Sequence, residues 1–173
     1  MNEQKKQKEL EKKRSDLTGE YKFGDAGQLI LAILFFTVWI SDTFIFDYST
    51  FLNHIVPNAI RLPLGIIFLI LSGFLAFRGL YIVFVEKREK PGVIRKSIFN
   101  LVRHPIYLGE ILLYVYFLMI SLSLAAVFVL LIAIIFLNYI SKHEEQLLLK
   151  RFGDEYKQYM LDVPMWIPRL RKR

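Results

Sequence analysis

Three stretches of this chain are too long and too apolar to fold inside a soluble core. Gln28 to Phe46 is long enough, at 1.5 Å per helical residue, to cross a hydrocarbon layer about 30 Å thick. Leu62 to Val85 is a second such run. Pro105 to Ile140 exceeds one crossing and carries no charge after Glu110, and Ser121-Leu122-Ser123 offers a turn within it. Split there, it makes two helices, the first rather short. The composition agrees, with 54% hydrophobic residues, 15% aromatic residues and a mean hydropathy of +0.37. The expected fold is all-α, a polytopic membrane protein of about four transmembrane helices with a cytoplasmic amphipathic C-terminal helix and cap.

Lysine and arginine set the orientation. The first 22 residues carry seven of them, Glu86 to Arg103 carries six, and the chain from Lys142 onward carries eight, or 21 of 23 in all. The loop from Asp47 to Arg61 holds only Arg61, and the turn near Ser121 holds none. With four crossings the three basic regions share one side, so both termini are expected in the cytoplasm, at the inner or plasma membrane in a prokaryote.

The net charge of +7 is then explained by topology and anionic lipid headgroups. No basic stripe has the interleaved aromatics of a strand-binding groove, so no nucleic-acid partner is expected. The N-terminal charged region and its first apolar run are both too long for a secretory signal. With no cysteine, disulfides and thiolate chemistry are absent. The organisation expected is a charged cytoplasmic arm over 1–26, a four-helix membrane domain over 27–141, and a cytoplasmic helix with a membrane-returning tail over 142–173. Within the tail, Glu144, Leu147, Leu148 and Arg151 share a helical face, and Gly153 is placed to end the helix. The two prolines of Val163-Pro164-Met165-Trp166-Ile167-Pro168 then forbid regular helix.

Polar groups gather at the cytoplasmic feet. Arg103-His104-Pro105-Ile106-Tyr107-Leu108-Gly109 opens the third helix, with Pro105 suited to its first turn. His143-Glu144-Glu145 closes the fourth. Such groups are costly at a membrane edge unless they pair or bind something between them. Salt bridging to Arg103 is one outcome for the two glutamates, and ligand binding is the other. Arg78 either snorkels to the headgroups or pairs with Glu110. No three-residue metal spacing such as H-E-x-x-H occurs, so no metal is expected, and no nucleotide-binding glycine motif is present.

Two motifs carry a resemblance. R-H-P-x-Y-x-G is met by Arg103, His104, Pro105, Tyr107 and Gly109. E-E-x-x-L-x-x-x-F-G-x-x-Y-x-x-Y-x-x-x-V-P-x-x-I-P is met from Glu144 and Glu145 through Phe152, Tyr156 and Tyr159 to Pro168. Over roughly residues 60–168 the chain resembles the integral-membrane methyltransferases related to isoprenylcysteine carboxyl methyltransferase and phospholipid methyltransferase. The resemblance implies S-adenosyl-L-methionine as cofactor, held by His104, Pro105, Ile106, Tyr107 and Glu144. It implies methyl transfer to a lipid-like or prenylated acceptor, carboxylate or amine, with Glu144 and Arg103 in the catalytic role. Membrane lipids and a lipophilic methyl acceptor are the partners implied. Two positions depart from those relatives: Phe99 stands where they carry a Tyr, and Ile140 where the isoprenylcysteine enzymes carry an Arg.

An alternative rests on the same step. His104 to Glu110 also satisfies H-P-x-Y-x-G-E, which resembles some sterol reductases and implies an NADPH-dependent membrane reductase. A non-catalytic membrane scaffold is a third reading.

Overall fold

The computed structural model of this chain describes residues 24–86 and 92–168. Most of the charged arm and of the Glu86–Gly92 turn, together with the last five residues, fall outside the described residues.

The described residues are helical, with no strand among them. Helix α1 is Gly24–Ser41, prolonged by a π turn Asp42–Phe46. Helix α2 is Asn58–Leu80, prolonged by a π turn Tyr81–Val85. Helix α3 is Pro105–Ile120, α4 is Leu124–Phe152 and α5 is Asp154–Asp162. Three spans are long and apolar enough to cross a bilayer: Gly24–Phe46, Asn58–Val85 and Leu124–Phe152. The 16 residues of α3 reach only about 24 Å, so it is the short partner of the second hairpin. The protein is therefore an all-α, polytopic, integral membrane protein. Phe128, Leu131 and Ile135 of α4 point outward together, more than half exposed in each case, as a lipid-facing stripe requires.

Between the helices the packing follows membrane rules, with small residues admitting close backbone approach. Gly109 of α3 lies against α2, where a Cβ would meet the Ser72 carbonyl oxygen at 3.1 Å and the Ala76 amide nitrogen at 3.3 Å. The Ser72 hydroxyl donates to the Gly109 carbonyl at 2.7 Å in the same contact. Ala126 and Ala133, fully buried on α4, pack into one core with Phe35 and Trp39 of α1 and Tyr114 of α3. The Phe35 and Tyr114 rings lie 4.4 Å apart. Trp39 is thus a packing residue.

The turn at Ser121-Leu122-Ser123 falls where the sequence places it, and buried charge holds it. The Ser123 and Ser49 hydroxyls both donate to Asp42, each at 2.5 Å. Arg61, only 5% exposed, donates to Asn53 at 2.8 Å and to the Ile120 carbonyl at 2.9 Å. It thereby satisfies a carbonyl that the end of α3 leaves without a helical partner.

At the opposite end α4 is continuous from the membrane span through His143, Glu144 and Glu145 to Phe152. Gly153 ends it with a φ of +54°, the left-handed region that favours glycine. Helix α5 then packs against the end of α4 and the segment before α3, with Tyr156 and Tyr159 in contact with Val93, Leu148 and Phe152.

Candidate active site at the helix feet

Proline at 105 disfavours helical backbone at the residue before it, and His104 accordingly sits outside the helical region at the N-cap of α3, with φ −120° and ψ 66°. Its amide and that of Arg103 need partners outside the helix. The C-terminal segment supplies them: Arg103 N–H donates to the Pro164 carbonyl at 2.9 Å, and His104 N–H to that of Met165 at 3.2 Å. The prolines that stop regular helix thus leave carbonyls free to cap α3.

The Arg103 side chain fastens the same junction. Its Nε donates to Glu145 Oε1 at 2.7 Å, and one Nη donates to the Met160 and Val163 carbonyls at 2.8 and 2.6 Å. Both charged side chains are withdrawn from solvent, Arg103 to 10% and Glu145 to 4% exposure. His104 Nε2 lies 3.1 Å from the same Glu145 oxygen, while its Nδ1 is 3.6 Å from Glu144 Oε2. The imidazole therefore sits between two carboxylates. Its ring is parallel to that of Tyr107 one turn on, at 5.6 Å and 3°. The Tyr107 hydroxyl completes the set by donating to Glu144 Oε1 at 2.5 Å.

Arg103, His104, Tyr107 and Glu144 form the polar wall of a cavity of about 220 Å³, with Glu145 behind it. Its apolar walls are Val83 and Phe84 from the π turn of α2, Ile94 and Phe99 from the segment before α3, and Leu148 and Phe152 of α4. Tyr156 and Tyr159 of α5 close it from below. Burial pushes both phenols above the ordinary tyrosine range, which keeps Tyr159 a donor to the Phe99 carbonyl at 2.6 Å.

All six residues singled out from the sequence, Arg103, His104, Pro105, Ile106, Tyr107 and Glu144, line this one cavity. Arg103 lines the cavity while its Nε and one Nη are engaged by Glu145 and the two carbonyls. Tyr156 and Tyr159, which also line the cavity, were not singled out from the sequence, although the spacing of the second motif held the signal for both. Arg78 and Glu110 do not pair. Arg78 reaches the Ser97 hydroxyl at 3.5 Å, and Glu110 accepts from Tyr114 at 2.7 Å. Among the described residues no three side chains are grouped to hold a metal.

Residues 26–166 match the sequence profile of the family described as 3-oxo-5-alpha-steroid 4-dehydrogenase. No curated protein and no solved structure matches the chain. The match corrects the methyltransferase resemblance and, with it, the enzyme class and the S-adenosyl-L-methionine cofactor expected from it. The physical reason is that H-P-x-Y-x-G is a helix-opening step that different membrane enzymes share. A likeness carried by the feet of two helices leaves the rest of the chain unread, whereas the profile covers α1 and the outer turn as well.

Proposed function

The chain belongs to the 3-oxo-5-alpha-steroid 4-dehydrogenase family, and from that premise we propose that it is a membrane-embedded, sterol-type reductase. The single observation that carries this reading is the extent of the match: every residue lining the cavity lies within 26–166. The reaction named by the family relates a 3-oxo steroid to its 4-ene. In the reducing direction one alkene carbon gains a hydride and the other a proton, and negative charge builds on the ketone oxygen between those events.

The family implies NADPH as the hydride source. The described cavity does not fit the phosphates of that molecule. Its wall guanidinium, Arg103, is engaged by Glu145, and the His104 imidazole lies 3.1 Å from the same Glu145 oxygen. What the chain's own residues supply is a proton path and water exclusion. Tyr107 is the donor on the wall, and Glu144, 14% exposed, returns the proton to the Tyr107 oxygen from the cytoplasmic side. Arg103 positions rather than reacts, holding Glu145 and the C-terminal segment so that His104 stays beside Tyr107. The apolar walls keep solvent from the reacting carbons. We place both termini in the cytoplasm on the distribution of basic residues. We treat 27–141 as the membrane domain, with 142–173 completing the site.

The test uses full-length protein in lipid nanodiscs with NADPH and a 3-oxo-4-ene steroid. The expected result is steroid-dependent loss of nicotinamide absorbance and a product heavier by one hydrogen molecule. Absence of any steroid-dependent oxidation would overturn the reading.

A further inference from the structure

At about 24 Å, α3 leaves about 6 Å of a 30 Å hydrocarbon layer uncrossed. Lys142, exposed on α4, and Arg95, exposed before α3, hold the inner end at the headgroups. The surplus therefore falls largely at the outer end, over the segment that joins α1 to α2.

That segment turns its polar groups inward. Asp42 and Arg61, at its two ends, are 6% and 5% exposed. Asp42 accepts from the Ser49 amide at 3.0 Å as well as from the Ser49 and Ser123 hydroxyls. Arg61 Nε donates to the Val56 carbonyl at 3.0 Å. The Leu122 amide donates to Asn53 Oδ1 at 2.8 Å and the Ala125 amide to Ser49 Oγ at 3.0 Å, so the segment lies across the α3–α4 turn. Its own backbone closes locally, with Asn53 N–H on the Thr50 carbonyl and Val56 N–H on that of Leu52. Outward it presents Phe44, Ile45, Phe46, Phe51 and Ile55, each more than half exposed. A water-facing loop gains nothing from withdrawing its charges behind five large apolar side chains. Satisfied backbone beneath an apolar surface is what hydrocarbon demands. Asp47, Tyr48 and His54 are exposed as well, and set the level at which the segment reaches the headgroups.

We propose that the segment 44–56 is embedded in the outer leaflet, its apolar side chains in contact with lipid acyl chains, and makes up the thickness that α3 lacks. The chain has no cysteine, so Phe51→Cys, Ile55→Cys, Phe128→Cys and Lys157→Cys can each carry a single nitroxide in the full-length protein, reconstituted in phosphatidylcholine bilayers. Oxygen, which concentrates in hydrocarbon, relaxes the labels at 51 and 55 more than a water-soluble nickel chelate does. The label at 128, on the lipid-facing stripe of α4, behaves the same way, and that at 157, on exposed α5, the opposite way. In bilayers whose hydrocarbon is only as thick as α3 is long, the oxygen excess is lost at 51 and 55 and kept at 128. The label at 128 also reports that the helices stay assembled in both bilayers. A nickel excess at 51 and 55 in the thicker bilayer puts the segment in water. Access by neither reagent puts a protein surface over it, such as a second copy of the chain. An oxygen excess unmoved by bilayer thickness separates the segment from the length of α3. Each of these three results overturns the proposal.

Discussion

Arg103→Met removes the one side chain that ties the α3 opening to both α4 and the C-terminal segment. Three side-chain hydrogen bonds go with it, at 2.7, 2.8 and 2.6 Å. Glu145, 4% exposed, is left with His104 alone at 3.1 Å. Taking one partner from a buried ion pair costs about 3–5 kcal/mol, because the remaining charge stays buried without its counterpart. The backbone bonds to Pro164 and Met165 survive, so the cost falls on release of the segment around residues 156–165 rather than on the membrane helices. At 1.4 kcal/mol per factor of ten, that segment opens roughly 10²- to 4 × 10³-fold more often. Lys157, exposed on α5, gives the readout: timed trypsin cleavage in nanodiscs, with protease dilute enough that reclosing outpaces cutting. The double variant Arg103→Met, Glu145→Leu removes the orphaned charge along with its partner and recovers at least about half of the lost free energy. Cleavage of Arg103→Met within about threefold of wild type, or a double variant cut as fast as the sum of the singles predicts, refutes the clasp.

Three further outcomes follow from named contacts. Tyr107→Phe removes the hydroxyl that donates to Glu144 and lowers steroid-dependent turnover by about 10²-fold, with thermal stability little changed, as measured by steady-state kinetics and melting of the same preparation. Gly109→Val drives a side chain into the Ser72 carbonyl and the Ala76 amide, both backbone, and costs about 1–3 kcal/mol in detergent-solubilised thermal denaturation. Tyr156 and Tyr159 have folded pKa values raised above the ordinary value of 10.0, chiefly by burial. The folded state then holds protons that the unfolded state has lost, so stability is full below pH 10 and declines as pH rises beyond it. Tyr156→Phe and Tyr159→Phe together flatten that decline in a pH series of melting temperatures.

The membrane helices were legible because an apolar run and the length of a helical rise leave little choice of fold. Pro105 and Gly153 marked helix ends for equally local reasons, a missing donor in one case and a positive φ in the other. The six site residues were legible because they fall in two short runs that helix geometry brings to neighbouring feet. What the sequence withheld depends on distant partners. Nothing local in Arg61 says that it caps α3 across the outer turn, fifty-nine positions away at Ile120. The salt bridge of Arg103 to Glu145 was one of the outcomes open to the two glutamates, but nothing local in Arg103 says that the Met160 and Val163 carbonyls also engage it. The pairing of Arg78 with Glu110 failed for the same reason, because helix faces rather than depth decide which charges meet. The family was misread because two motifs at the feet of α3 and α4 were weighed without α1 and the loop that follows it, which the family profile also covers.

The short helix explains why so much polar structure crowds both ends of the second hairpin. At about 24 Å, α3 falls one turn or so short of a hydrocarbon core about 30 Å thick. Backbone beyond its ends therefore sits at a depth where lipid cannot satisfy amides or carbonyls, and the protein must do so itself. At the outer end Arg61 and Asn53 supply the donors and acceptor, with Asn53 Oδ1 receiving the Leu122 amide at 2.8 Å. At the inner end the carbonyls of Pro164 and Met165 receive Arg103 and His104. The inner solution recesses His104, Tyr107 and Glu144 toward the bilayer beneath a cap of chain. In the proposed reductase a lipophilic substrate would meet them from the membrane and a proton would reach Glu144 from the aqueous face. Lengthening α3 would dissolve that arrangement, so on the reductase proposal the shortness of this helix is what would give a bilayer-soluble substrate and an aqueous proton a common site.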